Sequence, residues 1–98
     1  MARFDVHRSS DGAALFLDCQ ADSVDTGTRF VVPLVSEGEI PARIASLQPV
    51  FLVAGERLVM ATHMALTVRQ RDLGKRVVSL SHEHCHVMQA IDHLLTGY

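Results

Sequence analysis

One stretch of this chain has the periodicity of an amphipathic helix, and it lies at the C-terminal end. Its apolar residues are three and four positions apart, a spacing that places them on one helix face. They are Val87, Met88, Ile91, Leu94 and Leu95. Ser81 is the predicted N-cap, and Glu83 supplies a negative charge that suits the first turn. Gly97 is predicted to end the helix, so that Tyr98 extends from its tip.

The chain before this helix consists of short apolar segments separated by turn signals, which predicts antiparallel strands. The predicted strands cover residues 3–7, 15–20, 29–35, 49–53, 57–62 and 66–71. Pro33 cannot donate to a ladder, so its strand is expected at an edge or with a bulge. Residues 72–75 read as a turn, and residues 76–80 lead into the helix. The predicted fold is mostly β: one domain, residues 1–98, forming a partly open barrel of five or six short strands with one C-terminal helix.

Composition limits the classes of protein that the chain can represent. A net charge of −2 argues against a nucleic-acid binder. Two cysteines, Cys19 and Cys85, are too few for a disulfide scaffold and favour a reduced intracellular setting. No apolar run approaches the ~18 residues of a membrane span, and the first residues alternate in a way unlike a signal peptide. We therefore expect a cytoplasmic protein that does not enter a membrane.

The helix carries histidines that invite a metal-site interpretation. His82 and His86 share a face, and His93 continues it. A zinc ion needs three or four donors that converge on one point, whereas His82 and His93 are about 16 Å apart along the axis at 1.5 Å per residue. We interpret this stripe as a solvated polar face and keep its three histidines as metal-ligand candidates. Cys85 is expected to face the core as a small apolar residue.

Other charged clusters have simple structural interpretations. The acids Asp18, Asp22 and Asp25 are expected at a solvated loop edge. No spacing singles out a nucleophile with its base, no Gly-rich phosphate loop is present, and no cofactor is predicted. Four cations within eight residues could contact RNA phosphate, although a solvated strand end is the commoner explanation. They are Arg69, Arg71, Lys75 and Arg76.

Four segments of the chain resemble stretches of the CcdB toxins, in the same order and with similar spacing. Residues 17–26 (LDCQADSVDT) resemble the family's VDVQSDIIDT, and residues 29–34 (RFVVPL) resemble RMVIPL. Residues 61–65 (ATHMA) resemble TTDMA, and residues 80–82 with 90–92 (LSH and AID) resemble LSHR and AIN. Each motif alone is weak, but the four in register span nearly the whole chain.

The resemblance implies an SH3-like barrel with a small extra sheet and a C-terminal helix, assembled as a homodimer. CcdB toxins bind the A subunit of DNA gyrase, trap the gyrase–DNA cleavage complex, and are neutralised by a small CcdA-like antitoxin. The resemblance thus implies a toxin of a toxin–antitoxin module for plasmid maintenance. Such a toxin acts by binding and not by catalysis, and it meets DNA only through gyrase or the antitoxin.

The resemblance also implies a gyrase-binding surface. The family uses the two isoleucines of SDIIDT, the asparagine of AIN and a final Trp-Gly-Ile. The corresponding positions here, with Leu95 beside them, are Ser23, Val24, Asp92, Leu95, Thr96, Gly97 and Tyr98. The family's tryptophan stacks over an arginine of gyrase, a contact worth ~1–2 kcal/mol when it is desolvated. Thr96 occupies that position in this chain.

Three alternatives remain open on the sequence. The first is an inactive toxin that still binds its antitoxin. The second is a ribonuclease toxin on the same fold, for which Arg69 and Arg71 would contact RNA. The third is a metal-binding module based on His82, His86 and His93.

Overall fold

A computed structural model of the protein describes residues 2–97, and within them seven antiparallel strands form a curled half-barrel sheet with one C-terminal helix. The predicted mostly β fold is confirmed, with seven strands instead of five or six. The strands run in the order β4-β5-β3-β2-β1-β7, and β6 pairs with β3 off this path. The small extra sheet implied by the resemblance is therefore continuous with the main sheet. The elements are β1 Asp5–Ser9, β2 Leu15–Asp18, β3 Thr28–Ser36, β4 Val50–Val53, β5 Glu56–Met60, β6 Leu66–Arg69, β7 Leu73–Ser79 and α1 His84–Thr96.

Two predicted hairpins are confirmed, and left-handed backbone conformations close both of them. Gly12 has a φ of 77° in the turn between β1 and β2. Between β4 and β5, Ala54 and Gly55 have φ values of 51° and 83°. Positive φ at both central residues is the geometry whose twist matches that of the flanking strands.

Pro33 lies in the middle of the sheet, so the expectation of an edge or a bulge was wrong. On one side β3 pairs with β2, where Pro33 opposes Phe16. On the other side β6 pairs with residues 28–31 and β5 with residues 34–36. The Pro33 carbonyl accepts a hydrogen bond from the Ala61 N–H on that side. Since the partner strand changes at this position, the sheet loses no ladder bond to the proline ring.

Residues 72–75 do not form the predicted turn, because β7 already begins at Leu73. A short 3-10 helix, Gln70–Asp72, makes the turn instead. A steric constraint explains the glycine at position 74. A Cβ there would lie 2.8 Å from the Arg8 carbonyl oxygen on the adjacent strand β1. Gly74 therefore permits the close approach of two strands.

The helix packs one face on the sheet but leaves its last turn exposed. Val87, Ala90 and Ile91 are buried, and full burial of a valine side chain contributes roughly 1.5–3 kcal/mol. Leu94 and Leu95 are 41% and 73% exposed, so the last turn of the predicted apolar face is not buried in the core. The core that this helix covers also includes Val6, Leu17, Val32, Phe51, Met60 and Leu80.

The beginning of the helix differs from the prediction, whereas its end agrees with it. A 3-10 turn, Ser81–Glu83, precedes α1, and Ser81 caps nothing; its N–H donates to the Ser79 hydroxyl. At the other end Gly97 is left-handed, with a φ of 82° and its N–H bonded to the His93 carbonyl. Among residues 2–97, no helix has both the length and the apolar character needed to span a membrane.

Candidate functional site

The C-terminal tip of α1 presents apolar side chains to solvent on an ordered backbone. The Thr96 hydroxyl donates to the Asp92 carbonyl at 2.7 Å, and Gly97 closes the last turn. Asp92, Leu95, Thr96 and Gly97 are all exposed. Tyr98, the last of the predicted site residues, lies outside the described residues. The tip thus offers an exposed surface for binding.

Contacts with the rest of the fold hold this tip in place. His93 Nδ1 lies 2.8 Å from the Ser46 hydroxyl in the long connection between β3 and β4. The helix also packs against the 3-10 turn Thr62–Met64, in which the side chain of Met64 is 54% exposed. Exposed apolar side chains therefore lie both at the tip and on a turn that packs against the same helix.

The other predicted site residues, Ser23 and Val24, lie in the β2–β3 loop, residues 19–27. Both are exposed, Val24 to 45%. The Val24 N–H donates to the Ala21 carbonyl, and the Gln20 side-chain amide donates to the Val24 carbonyl at 2.8 Å. The backbone of the loop is thus held while its two candidate side chains stay free for a partner.

A buried ion pair supports this loop, and it corrects the expectation that Asp18 is solvated. Asp18 has no exposed surface, and Arg29 Nη2 lies 2.8 Å from its carboxylate. Arg29 also donates to the Gln20 carbonyl, and the Gln20 N–H donates to Asp18. The Gln20 side-chain oxygen accepts from the Phe30 N–H. Asp22 and Asp25 are exposed, as expected.

Arg3 connects the loop to the helix. Its backbone N–H donates to the Asp22 carboxylate at 2.7 Å. Its guanidinium donates to the Cys19 carbonyl and to the sulfur of Met88. Met88 lies about 13 Å from Gly97 along the axis at 1.5 Å per residue. Within residues 2–97, no hydrogen bond joins the loop to the tip, and Arg3 connects the loop to the middle of the helix instead.

The sequence did not reveal the residues that stabilise the β2–β3 loop, which are Arg3, Gln20 and Arg29. A signal existed for Arg29, because it shares its strand face with Val31, which is buried. A charge on an inward face requires a buried partner of opposite sign. The partner, Asp18, occupies the end of the neighbouring strand, and only the pairing of β2 with β3 brings the two together.

The histidine stripe does not converge on one point. His86 Nδ1 lies 2.8 Å from the Glu83 carboxylate, while His93 contacts Ser46. His82 is exposed on the preceding 3-10 turn. In the part of the chain that the structure describes, no three His, Cys, Asp or Glu side chains are placed to hold a metal ion.

Cys85 is exposed, so the expectation that it faces the core was wrong. It lies two residues before the buried Val87, which is about half a turn around the helix. Its sulfur lies 3.4 Å from the His84 ring nitrogen Nε2. The other cysteine, Cys19, is buried. Burial raises the pKa of the Cys19 thiol to about 12, and the adjacent Asp18 charge adds to the rise.

These environments predict that the two thiols react very differently. In the folded protein an aromatic disulfide reagent near pH 8 should titrate one thiol quickly, because the thiolate is the nucleophile and Cys19 is both buried and protonated. In denaturant the second thiol, that of Cys19, should also react. Cys85→Ser should abolish the fast phase, whereas Cys19→Ser should leave it intact. Rapid reaction of two thiols in the native protein would contradict the structure.

Comparison with known families gives a match that covers nearly the whole chain. A family model described as CcdB protein matches residues 3–97, nearly the whole chain. No curated protein matches the chain. The matched range includes the sheet, the β2–β3 loop and the helix with its tip. The chain therefore belongs to the CcdB family.

Proposed function

We propose that this protein is the toxin of a toxin–antitoxin module. In this proposal it acts as a homodimer in the cytoplasm, binds the A subunit of DNA gyrase and traps the gyrase–DNA cleavage complex. A cognate CcdA-like antitoxin neutralises it. The observation that carries the proposal is the family match over residues 3–97. The proposed action is binding without catalysis, and it requires no cofactor.

The exposed end of α1 supports a binding role. Large apolar side chains clustered on a small domain favour association with another protein. Leu94 and Leu95 lie at the tip, and Met64 lies on the turn that packs against the helix. Because Gly97 and the Ser46–His93 contact already order the tip, the tip would lose little further conformational entropy when a partner binds it.

The two parts of the predicted surface, the β2–β3 loop and the helix tip, fit a dimeric toxin. Val24 lies in a loop tied to Met88, more than two helical turns from Gly97. In a two-fold dimer, the loop of one protomer and the tip of its partner could form one continuous surface. The homodimer in this proposal therefore has a specific role, because it would assemble the gyrase-binding site from two chains.

The test is a cleavage assay with purified gyrase, ATP and supercoiled plasmid, followed by denaturant and protease. The proposal expects linear DNA to accumulate with increasing protein and to disappear when the cognate antitoxin is added first. Induced expression should stop growth, and gyrase that carries a substitution conferring resistance to CcdB toxins should restore it. Absence of linear DNA at a large molar excess would defeat the gyrase proposal. Growth arrest accompanied by RNA cleavage would instead support a ribonuclease toxin.

A further inference from the structure

Two histidines hold the β3–β4 loop, residues 40–49, against the rest of the fold. The Gln48 side-chain nitrogen lies 2.9 Å from Nδ1 of His63, which belongs to the 3-10 turn Thr62–Met64. The Ser46 hydroxyl lies 2.8 Å from Nδ1 of His93 on α1. Within residues 2–97, no other side-chain hydrogen bond joins this loop to another element. The position of the loop therefore depends on these two contacts.

The contact between Gln48 and His63 allows one assignment of donor and acceptor. Gln48 is the only buried residue of the loop, with 7% of its surface exposed. Its side-chain oxygen accepts from the Ile44 N–H at 2.8 Å, so its NH₂ group is the part that points to His63. An amide NH₂ can only donate, and Nδ1 of His63 must therefore accept. The neutral ring consequently carries its proton on Nε2.

Protonation of His63 would turn this attractive contact into a repulsive one. Both nitrogens of a charged imidazole ring are donors, so an N–H at Nδ1 would oppose the NH₂ group of Gln48. A buried donor would then lose its acceptor, which is an unfavourable arrangement. The Ser46–His93 contact differs, because a hydroxyl can accept as well as donate and can pair with either form of the ring.

Arg43 adds a positive charge on the loop side of the Gln48–His63 contact. Its guanidinium donates to the Gln48 carbonyl at 3.2 Å. In the part of the chain that the structure describes, no carboxylate oxygen lies within 4 Å of a His63 nitrogen. A charged His63 would therefore add a second cation beside Gln48 without a neighbouring acid to balance it.

The two elements that pack against the turn of His63, β3 and α1, supply no compensating charge. The one charged side chain of β3, Arg29, is already paired with Asp18. The one carboxylate of α1, that of Asp92, is exposed and forms no ion pair among residues 2–97. The histidines of α1 can add only positive charge when they are protonated; they are His84, His86 and His93.

We propose that His63 makes the β3–β4 loop a pH-sensitive switch, in which the neutral ring holds the loop on the fold and the charged ring releases it. Histidine is the side chain that ordinarily changes charge between about pH 5 and 8. The loop is therefore held at neutral pH and released as the pH falls. Since Ser46 of this loop contacts His93, one turn before Gly97, release changes the surface beside the helix tip. This inference goes beyond the toxin proposal and does not depend on it.

Amide hydrogen exchange followed by NMR at about pH 7.5 and about pH 5 tests the switch in the purified protein. Each rate is divided by the rate of an unfolded chain at the same pH. The reporters are the amides of Ile44, which donates to the Gln48 side chain, and of Gln48, which donates to the Ile44 carbonyl. Their protection should fall about tenfold or more on acidification. The amide of Ile91, buried in α1, should keep its protection.

Three variants identify the group that responds to pH. In His63→Asn an uncharged side-chain oxygen takes the place of Nδ1, so the loop should stay protected at both pH values. In His63→Lys a permanent donor faces Gln48, so the loop should be unprotected at both. The matched control, His93→Asn, should keep the response of the wild-type protein.

Several outcomes would overturn the proposal. They are a wild-type loop whose protection does not change with pH, a response that persists in His63→Asn, and a response that disappears in His93→Asn. An equal loss of protection at Ile91 would also overturn it, because it would show that acid unfolds the whole domain. No gyrase or antitoxin is present, so none of these outcomes depends on whether the protein is a toxin.

Discussion

Replacing Arg29 by methionine is expected to lower the free energy of unfolding by about 3–5 kcal/mol, because it leaves a buried carboxylate without its partner. Asp18 has no solvent exposure, and two nitrogens of Arg29 lie 2.8 and 2.9 Å from one of its oxygens. For a domain of this size the melting temperature should fall by more than about 12 °C. Urea and thermal unfolding followed by circular dichroism measure the effect.

The chain provides a matched control for this variant in the Arg57–Glu37 pair. There the nitrogen and oxygen are also 2.8 Å apart, but both side chains are exposed. Water replaces the lost partner of an exposed charge, so Arg57→Met should move the unfolding midpoint little. Equal destabilisation by Arg29→Met and Arg57→Met would contradict the role assigned to burial.

A second variant separates the charge effect from the loss of packing. In Asp18→Leu/Arg29→Met both charges are removed, and a buried ion pair replaced by apolar residues is often close to neutral. The double variant should therefore recover a large part of the stability lost in Arg29→Met. It should still expose the amides of residues 20–27 to faster hydrogen exchange, since the bonds from Gln20 to Asp18 and from Arg29 to Gln20 are gone. An intact loop would show that the pair does not support the candidate site.

The sheet and the helix were predictable because their periodicities are local properties. Alternation identified β1 and β2, and the three- and four-residue spacing identified α1. The errors within the sheet arose at positions whose environment is set by the partner strand. Pro33 is acceptable in a central strand because β6 gives way to β5 beside it, and Gly74 serves a close contact with β1. The residues that flank Pro33 and Gly74 in the sequence predict neither the change of partner strand nor the close contact.

The candidate site residues stay a prediction, and the contacts that hold them in place could not be predicted from the sequence. The family resemblance indicated Ser23, Val24 and the helix tip, and the structure places them in an exposed loop and at the exposed end of α1. The bonds that hold the loop connect residues far apart in the chain, such as Arg3 and Met88. Such pairs have no local signature. The burial of Asp18 was also not predictable, because two exposed acids follow it in the same segment.

Introducing tryptophan at the tip, as Thr96→Trp, is expected to increase gyrase poisoning by about tenfold or more, measured as the concentration that gives half-maximal cleavage. In the proposed complex the indole would stack over an arginine of gyrase, and a desolvated cation–π contact is worth ~1–2 kcal/mol. The change should not unfold the protein. Thr96 is exposed, and its one side-chain bond is to the Asp92 carbonyl of its own helix.

The matched control is Gln89→Trp, which adds the same indole to an exposed position of the same helix, two turns before the tip. It should leave the half-maximal concentration unchanged. A third variant, Leu95→Asp, places a charge on a side chain that is 73% exposed and should weaken poisoning without loss of stability. An equal increase in gyrase poisoning by Thr96→Trp and Gln89→Trp would indicate nonspecific binding of an exposed indole. If both Thr96→Trp and Leu95→Asp leave the half-maximal concentration unchanged, the tip is not part of the gyrase-binding surface. This conclusion would hold even if the wild-type protein poisons gyrase.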